Sequence, residues 1–280
     1  MSSGFDKFFG GVLFDPPVDP AFPPVSFAYA DVNTIGIPRK MFPLLGGPQF
    51  QKRAGSCLPH GYAACVESWA ANQPEPIDLQ ISIMDWYFGA RWLAGDAGRD
   101  VGSYPTRGRQ WSDQYGLLTA ARAPYDDGAV NTWRPKSEWA ADRLMLRSVF
   151  EPVPLMSDAF LAELAKLGTL PVCHKVVGSI NSVSRTTGYE TFVDDGKNYG
   201  GHCRLLCGYD LDLQIPGYQA GAGLLFNWWE NFGIAHPMAS SDSRFAEYHT
   251  SFSWVPLQTL ENKSFFQDAA RLAVPPKVAA

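Results

Sequence analysis

Cys57 sits where a loop gives way to a helix-forming stretch, and a thiol there feels the positive end of the helix dipole, which favours the thiolate. A thiolate nucleophile needs a proton partner. Of His60, His174, His202, His236 and His249, only His202 opens a strand-like run directly after a Gly-Gly pair, a position that points a side chain into a cleft. His60 shares the helix face of Cys57 and competes as a base, but no motif surrounds it. His174 alternates with Cys173 on a β-like run and reads as structural. Taken alone, Cys57 would read as one more buried thiol. Cys65 does read that way, since it lies about 12 Å from Cys57 along one helix, too far for a disulfide. Cys203 and Cys207 share a strand face, cannot bond to each other, and lack the second pair that a zinc site needs.

Three segments decide between these readings. QKRAGSC at 51–57, GGHCRLLCGYD at 200–210 and FNWW at 226–229 resemble, in that order, the active-site segments of the papain-like (C1) cysteine peptidases. Gln51, Gly55, Ser56 and Cys57 reproduce the family's spacing before the nucleophile. The interval of about 145 residues from Cys57 to His202 falls inside the roughly 130–150 expected of such enzymes. The family's His leads an apolar strand ending in Gly-Tyr, as His202 leads to Gly208 and Tyr209. Its Asn is followed one residue later by Trp, as Asn227 is by Trp229. Weaker similarities at Gly102-Ser103, YGL from 115, Pro124-Tyr125 and LAKLGTLPV from 164 extend the likeness over residues 48–255.

The resemblance implies a two-lobed α+β fold: a helical lobe and an antiparallel, β-barrel-like lobe, with the active site in the cleft between them. It implies a divergent bacterial or viral member that cleaves peptide bonds as an endopeptidase through a thioester acyl-enzyme. Cys57 is then the nucleophile, His202 the general acid and base, and Asn227 the residue that orients the imidazole. The Gln51 side chain and the Cys57 N–H would stabilise the oxyanion, while Trp229 would shield the Asn–His hydrogen bond from water. Gly102, Ser103, Gly201, Cys203 and Trp229 are the candidate substrate-binding residues. The implied partner is a protein or peptide substrate, with no metal and no cofactor.

The sequence also departs from the family. Leu58 stands where Trp is usual, Pro59 and His60 follow where small apolar residues are usual, and Gly201 replaces a common Asp or Asn. Ala54 stands near a frequent disulfide position. The Asn lies further past the His than usual, and DLDLQIPGYQAGAG at 210–223 reads as an insertion in a hairpin loop. Gln51, Cys57, His202 and Asn227 would equally serve amide transfer or an amidase, since one fold and triad carry several acyl-transfer reactions. A non-enzymatic papain-fold protein is the third reading, disfavoured because all four residues are kept.

The elements that must position these residues follow from pattern and punctuation. Helices are expected from Ser56 to the breakers Asn72, Pro74 and Pro76, over 79–93, over 106–115, over 139–150, and over 157–167 with Gly168 just past the end. From Leu170 the period changes, with β-like runs beginning at 170, 202, 223 and 249. The helical lobe is therefore placed at about 49–150 and the β lobe at about 151–265, together one catalytic domain. Residues 1–48, with FDPPVDPAFPP at 14–24, form a Pro-rich arm that must run extended. Its many Phe residues are unsuited to a solvated linker, so it is expected to dock on the body as a pro-segment that binds the chain's own cleft. Residues 266–280 read as a frayed tail.

Composition excludes several classes. At 46% hydrophobic and 18% charged the chain is a folded one. A net charge of −5 with scattered basic residues argues against nucleic acid as a partner. No apolar run is long enough to span a bilayer, and the start MSSGFDKFFGG lacks a secretory apolar core. Cytoplasmic synthesis, with export by another route left open, is the expectation.

Overall fold

The computed structural model describes residues 12–13, 49–155, 160, 169–197, 199–235, 237 and 250–277. The helices come first: α1 Cys57–Ala71, α2 Ile83–Leu93, α3 Pro105–Gln114 and α4 Ala140–Met145. Ser82 starts α2 by accepting the Asp85 N–H on its hydroxyl at 3.1 Å, and Pro105 opens α3, where a missing N–H costs nothing. Gly95 and Gly116, with φ of +82° and +73°, take the chain out of α2 and α3 in the left-handed conformation. The start of α1 differs. Ser56 makes no side-chain cap and no acidic residue occupies the first turn, so its N-terminal N–H groups stay available.

The strands β1 Val149–Pro152, β2 Leu170–Lys175, β3 Gly201–Asp210, β4 Ala222–Phe226, β5 Phe252–Pro256 and β6 Phe266–Val274 form one antiparallel sheet in the order β1-β6-β2-β3-β4-β5. The α+β expectation holds, but the sheet is open and not barrel-like. β3 is buried along nearly its whole length, as a central strand should be. Its register sets Cys203 opposite Cys173 and His202 opposite His174. α1 lies on β2 and β3 with Gly61 at the closest approach, where a Cβ would come within 2.7 Å of the Cys203 sulfur. Tyr62 of α1 packs on Phe150 of β1 with ring centroids 4.8 Å apart, joining helices and sheet in one core.

Two stretches differ from their sequence reading. The helix expected over 139–150 stops at Met145, and Val149–Pro152 pairs with β6, so Phe150 is a core residue of a strand. The expected frayed tail is β6, which lies between β1 and β2. Phe266, Ala269, Ala270 and Leu272 are buried there, and the small residues that make AARLAV look simple are those a crowded strand accepts. Apart from the buried, helical Phe160, the helix expected over 157–167 lies outside the described residues, as do the histidines 236 and 249 and all of the arm except Val12 and Leu13. Among the described residues no helix is long and apolar enough to cross a membrane.

Candidate active site

The loop before α1 is tied down from three sides. The Gln51 N–H donates to the Trp228 carbonyl at 3.1 Å. The Tyr125 hydroxyl donates to the Gln51 carbonyl at 2.6 Å and also meets the Ser56 hydroxyl at 2.8 Å. The Gly55 N–H donates to Asp100 Oδ1 at 2.9 Å, and the Tyr87 hydroxyl donates to the same oxygen. Tyr87 in turn accepts the Gly102 N–H at 3.1 Å, so the Gly102-Ser103 loop and the Cys57 loop share one anchor. At the head of α1, Cys57 is fully buried. Backbone hydrogen bonds from Cys203, Leu58 and Cys57 itself act on its thiol in the sense that favours the thiolate. The first of these comes from the residue after His202, which sets the thiol beside the head of β3.

His202 donates from Nε2 to Asn227 Oδ1 at 2.8 Å, which leaves Nδ1 as the nitrogen open to a thiol. The Trp229 indole stacks on the imidazole, 4.4 Å between centroids and 21° from parallel, and its backbone N–H donates to Asn227 Oδ1 at 3.3 Å. Trp229 therefore covers the imidazole with its indole and meets Asn227 through its backbone. Gln51 is buried, with its amide nitrogen donating to the Ala54 carbonyl at 2.6 Å and, among the described residues, to no second acceptor.

Two residues of the arm, Val12 and Leu13, are bonded beside this site. Val12 donates its N–H to the Gly201 carbonyl at 3.0 Å, and Leu13 donates to the Ser103 carbonyl at 3.1 Å. Val12 bridges Ser103 and Gly201 as an extended residue and is buried in the same core cluster as Cys57. Burial pushes the Cys57 thiol well above its ordinary value and holds His202 down at about 3. Both shifts come first from desolvation, which penalises each charged form, so the buried pair is neutral.

Some expected positions change role. The Cys203 side chain faces Gly61 and lies opposite Cys173, inside the core between α1 and β2, so the thiol does not line the cleft. Only its backbone serves the site, with its carbonyl accepting the Trp228 indole N–H at 2.8 Å. His60 turns Nδ1 to the Ser56 carbonyl at 2.7 Å, and its ring meets Tyr125 edge-on at 5.1 Å. Burial holds it at about 4, a packed side chain under the loop. The sequence reading passed over Asp100, Tyr87 and Trp228. Trp228 lies in the FNWW segment, but the resemblance gives a role only to its neighbour Trp229, and nothing in the spacing of an isolated Asp and Tyr marks them as an anchor.

The helices packed on an open antiparallel sheet, with Cys57 heading a helix and His202 a strand, are the fold of the papain-like cysteine proteases. The chain is similar to xylellain, a cysteine protease from Xylella fastidiosa, at a TM-score of 0.70 and 17% identity over 98% of this chain and 97% of that one. It is similar to a procathepsin B from Trypanosoma congolense, with a TM-score of 0.62 and 15% identity over 98% and 88% of the two chains. A digestive procathepsin L from the Tenebrio molitor larval midgut follows, at 0.59 and 15% over 96% and 76%. At the level of sequence, no family model and no curated protein matches the chain.

Proposed function

We propose that the protein is a cysteine endopeptidase whose N-terminal arm, residues 1–48, keeps it latent. The observation that carries this is the extended backbone of Val12 and Leu13, bonded to Gly201, the neighbour of His202, and to Ser103, with Val12 buried in the core cluster that includes Cys57. A cleft that grips main chain on both sides accepts a peptide by the same bonds. The catalytic domain runs from about residue 49 through β6. When the arm leaves, water re-enters and the desolvation that penalises both charged forms is relieved. The helix head and the attraction within the ion pair then lower the thiol below its ordinary range, and the proton passes from Cys57 to Nδ1 of His202.

The thiolate attacks the peptide carbonyl carbon, and the Cys57 N–H with the free amide hydrogen of Gln51 receives the charge that develops on oxygen. His202 gives its proton to the leaving amine, then takes one from the water that opens the thioester. Gln51→Ala is expected to lower kcat by about 10²-fold with KM little changed, because the donor acts only on the oxyanion. An unchanged kcat in steady-state assays would remove Gln51 from the mechanism.

Mass-spectrometric cleavage profiling of a diverse peptide library under reducing conditions tests the function, using arm-deleted protein with its Cys57→Ala version as blank. Cleavage absent from the blank and unaltered by an added primary amine is expected. Products carrying the amine would establish amide transfer instead, and no difference from the blank would defeat the enzymatic reading.

A further inference from the structure

On the face of the sheet that carries His202 lies a buried charged chain that the thiol chemistry above does not use. Arg204, two residues along β3, is fully buried and forms a two-pronged ion pair with Glu190, at 2.7 Å from Nη1 and 3.2 Å from Nη2. Ser253 of β5 donates to the same carboxylate at 2.7 Å. Arg204 Nε donates at 2.9 Å to Nε2 of His174, whose Nδ1 lies 2.9 Å from the Lys175 carbonyl. With one nitrogen accepting from a guanidinium and the other donating to a carbonyl, His174 has no lone pair left and stays neutral. Its ring stands edge-on to His202, 5.7 Å between centroids and 89° apart, while Trp229 stacks on His202 as well. The His202 imidazole is thus held by Trp229, Asn227 and His174.

A fully buried ion pair is weak evidence of stabilisation, because taking both charges out of water offsets their attraction. Its placement beside His202 points to another purpose. We propose that Glu190, acting through Arg204 and His174, is a positioning residue for His202: it fixes the edge against which the imidazole rests and cancels the buried cation beside it. This rests on the thiol enzyme proposed above. The titratable and charged groups acting on His202 are His60 from α1, His174 from β2 and Arg204 from its own strand, and Arg204 carries the one permanent charge among them. Glu190 lies behind Arg204 and neutralises it.

The test is the pH profile of Cys57 alkylation by iodoacetamide, followed by peptide mapping, in the full chain carrying Val12→Asp, a substitution that takes the arm off the site. This protein, unchanged at 190 and 204, serves as the wild type in each comparison. A Cys57–His202 pair freed of the arm reacts as thiolate well below the ordinary thiol range, which gives this parent an acid step. Glu190→Gln leaves Arg204 uncompensated, and an extra cation lowers both macroscopic proton affinities of the pair. The acid step is therefore expected to move about one pH unit lower. The double variant Glu190→Gln with Arg204→Met carries no net change of charge and strands none, so it is expected to fold. Its step returns to the wild-type position, while the plateau rate falls about tenfold because His174 is no longer held. An unmoved step in folded Glu190→Gln overturns the proposal. If Glu190→Gln does not fold, a wild-type plateau in the double variant overturns it. A wild-type profile with only an ordinary thiol step sinks the thiol enzyme itself, and this inference with it.

Discussion

Cys57→Ala is expected to reduce peptide hydrolysis by about 10⁴-fold or more, and His202→Ala by a similar factor, with the double variant no worse than either. The non-additivity is the informative part. Nucleophile and base act as a unit in one proton transfer, so removing the second has nothing further to remove once the first is gone. The structure supports this through the His202–Asn227 bond of 2.8 Å and the Cys203 backbone contact that sets the thiol at the head of β3. Initial rates on a cleaved library peptide measure it. Multiplicative losses would mean that the two residues contribute independently, which the mechanism does not allow.

Val12→Asp is expected to raise the rate of Cys57 alkylation by roughly 10²-fold, because an ionised carboxylate cannot remain unpaired in the apolar cluster Val12 now occupies. The arm would leave the cleft. Two effects then add in the same direction: the reagent gains access, and the desolvation that holds the thiol high and His202 at about 3 is relieved. The other thiols, Cys65, Cys173, Cys203 and Cys207, are buried and head no helix, and they should keep their rates. Peptide-resolved alkylation at mildly acidic pH checks this. Equal Cys57 rates in wild type and Val12→Asp would show that the arm does not restrain the site.

Much of the site was legible because chemistry constrains spacing. A nucleophile at a helix start, a base at a strand start and an amide two residues before a Trp are local patterns, and in the structure Cys57, His202, Asn227 and Gln51 are all buried, with His202 bonded to Asn227. The helical stretch before a β-rich stretch was equally legible from periodicity. What was not legible depends on partners distant in sequence. β6 looked like a frayed tail because Ala-rich strands carry little alternation, and its place between β1 and β2 is set by pairing alone. Phe150 suits a helix or a strand until Leu272 appears opposite it. Cys203 was assigned to the cleft by similarity, yet strand alternation turns its thiol to α1 while its backbone serves Cys57. The Glu190–Arg204–His174 chain joins residues from a loop and two strands, and no local pattern announces it.

The central claim is that Cys57 is a peptide-directed nucleophile activated by His202. Incubating the Val12→Asp protein with a set of peptidyl vinyl sulfones, then measuring intact mass and mapping the adduct, tests it most directly. One adduct per chain, located on Cys57 and lost in His202→Ala, is the expected result. No adduct, or adducts spread over the five cysteines without regard to His202, would contradict it.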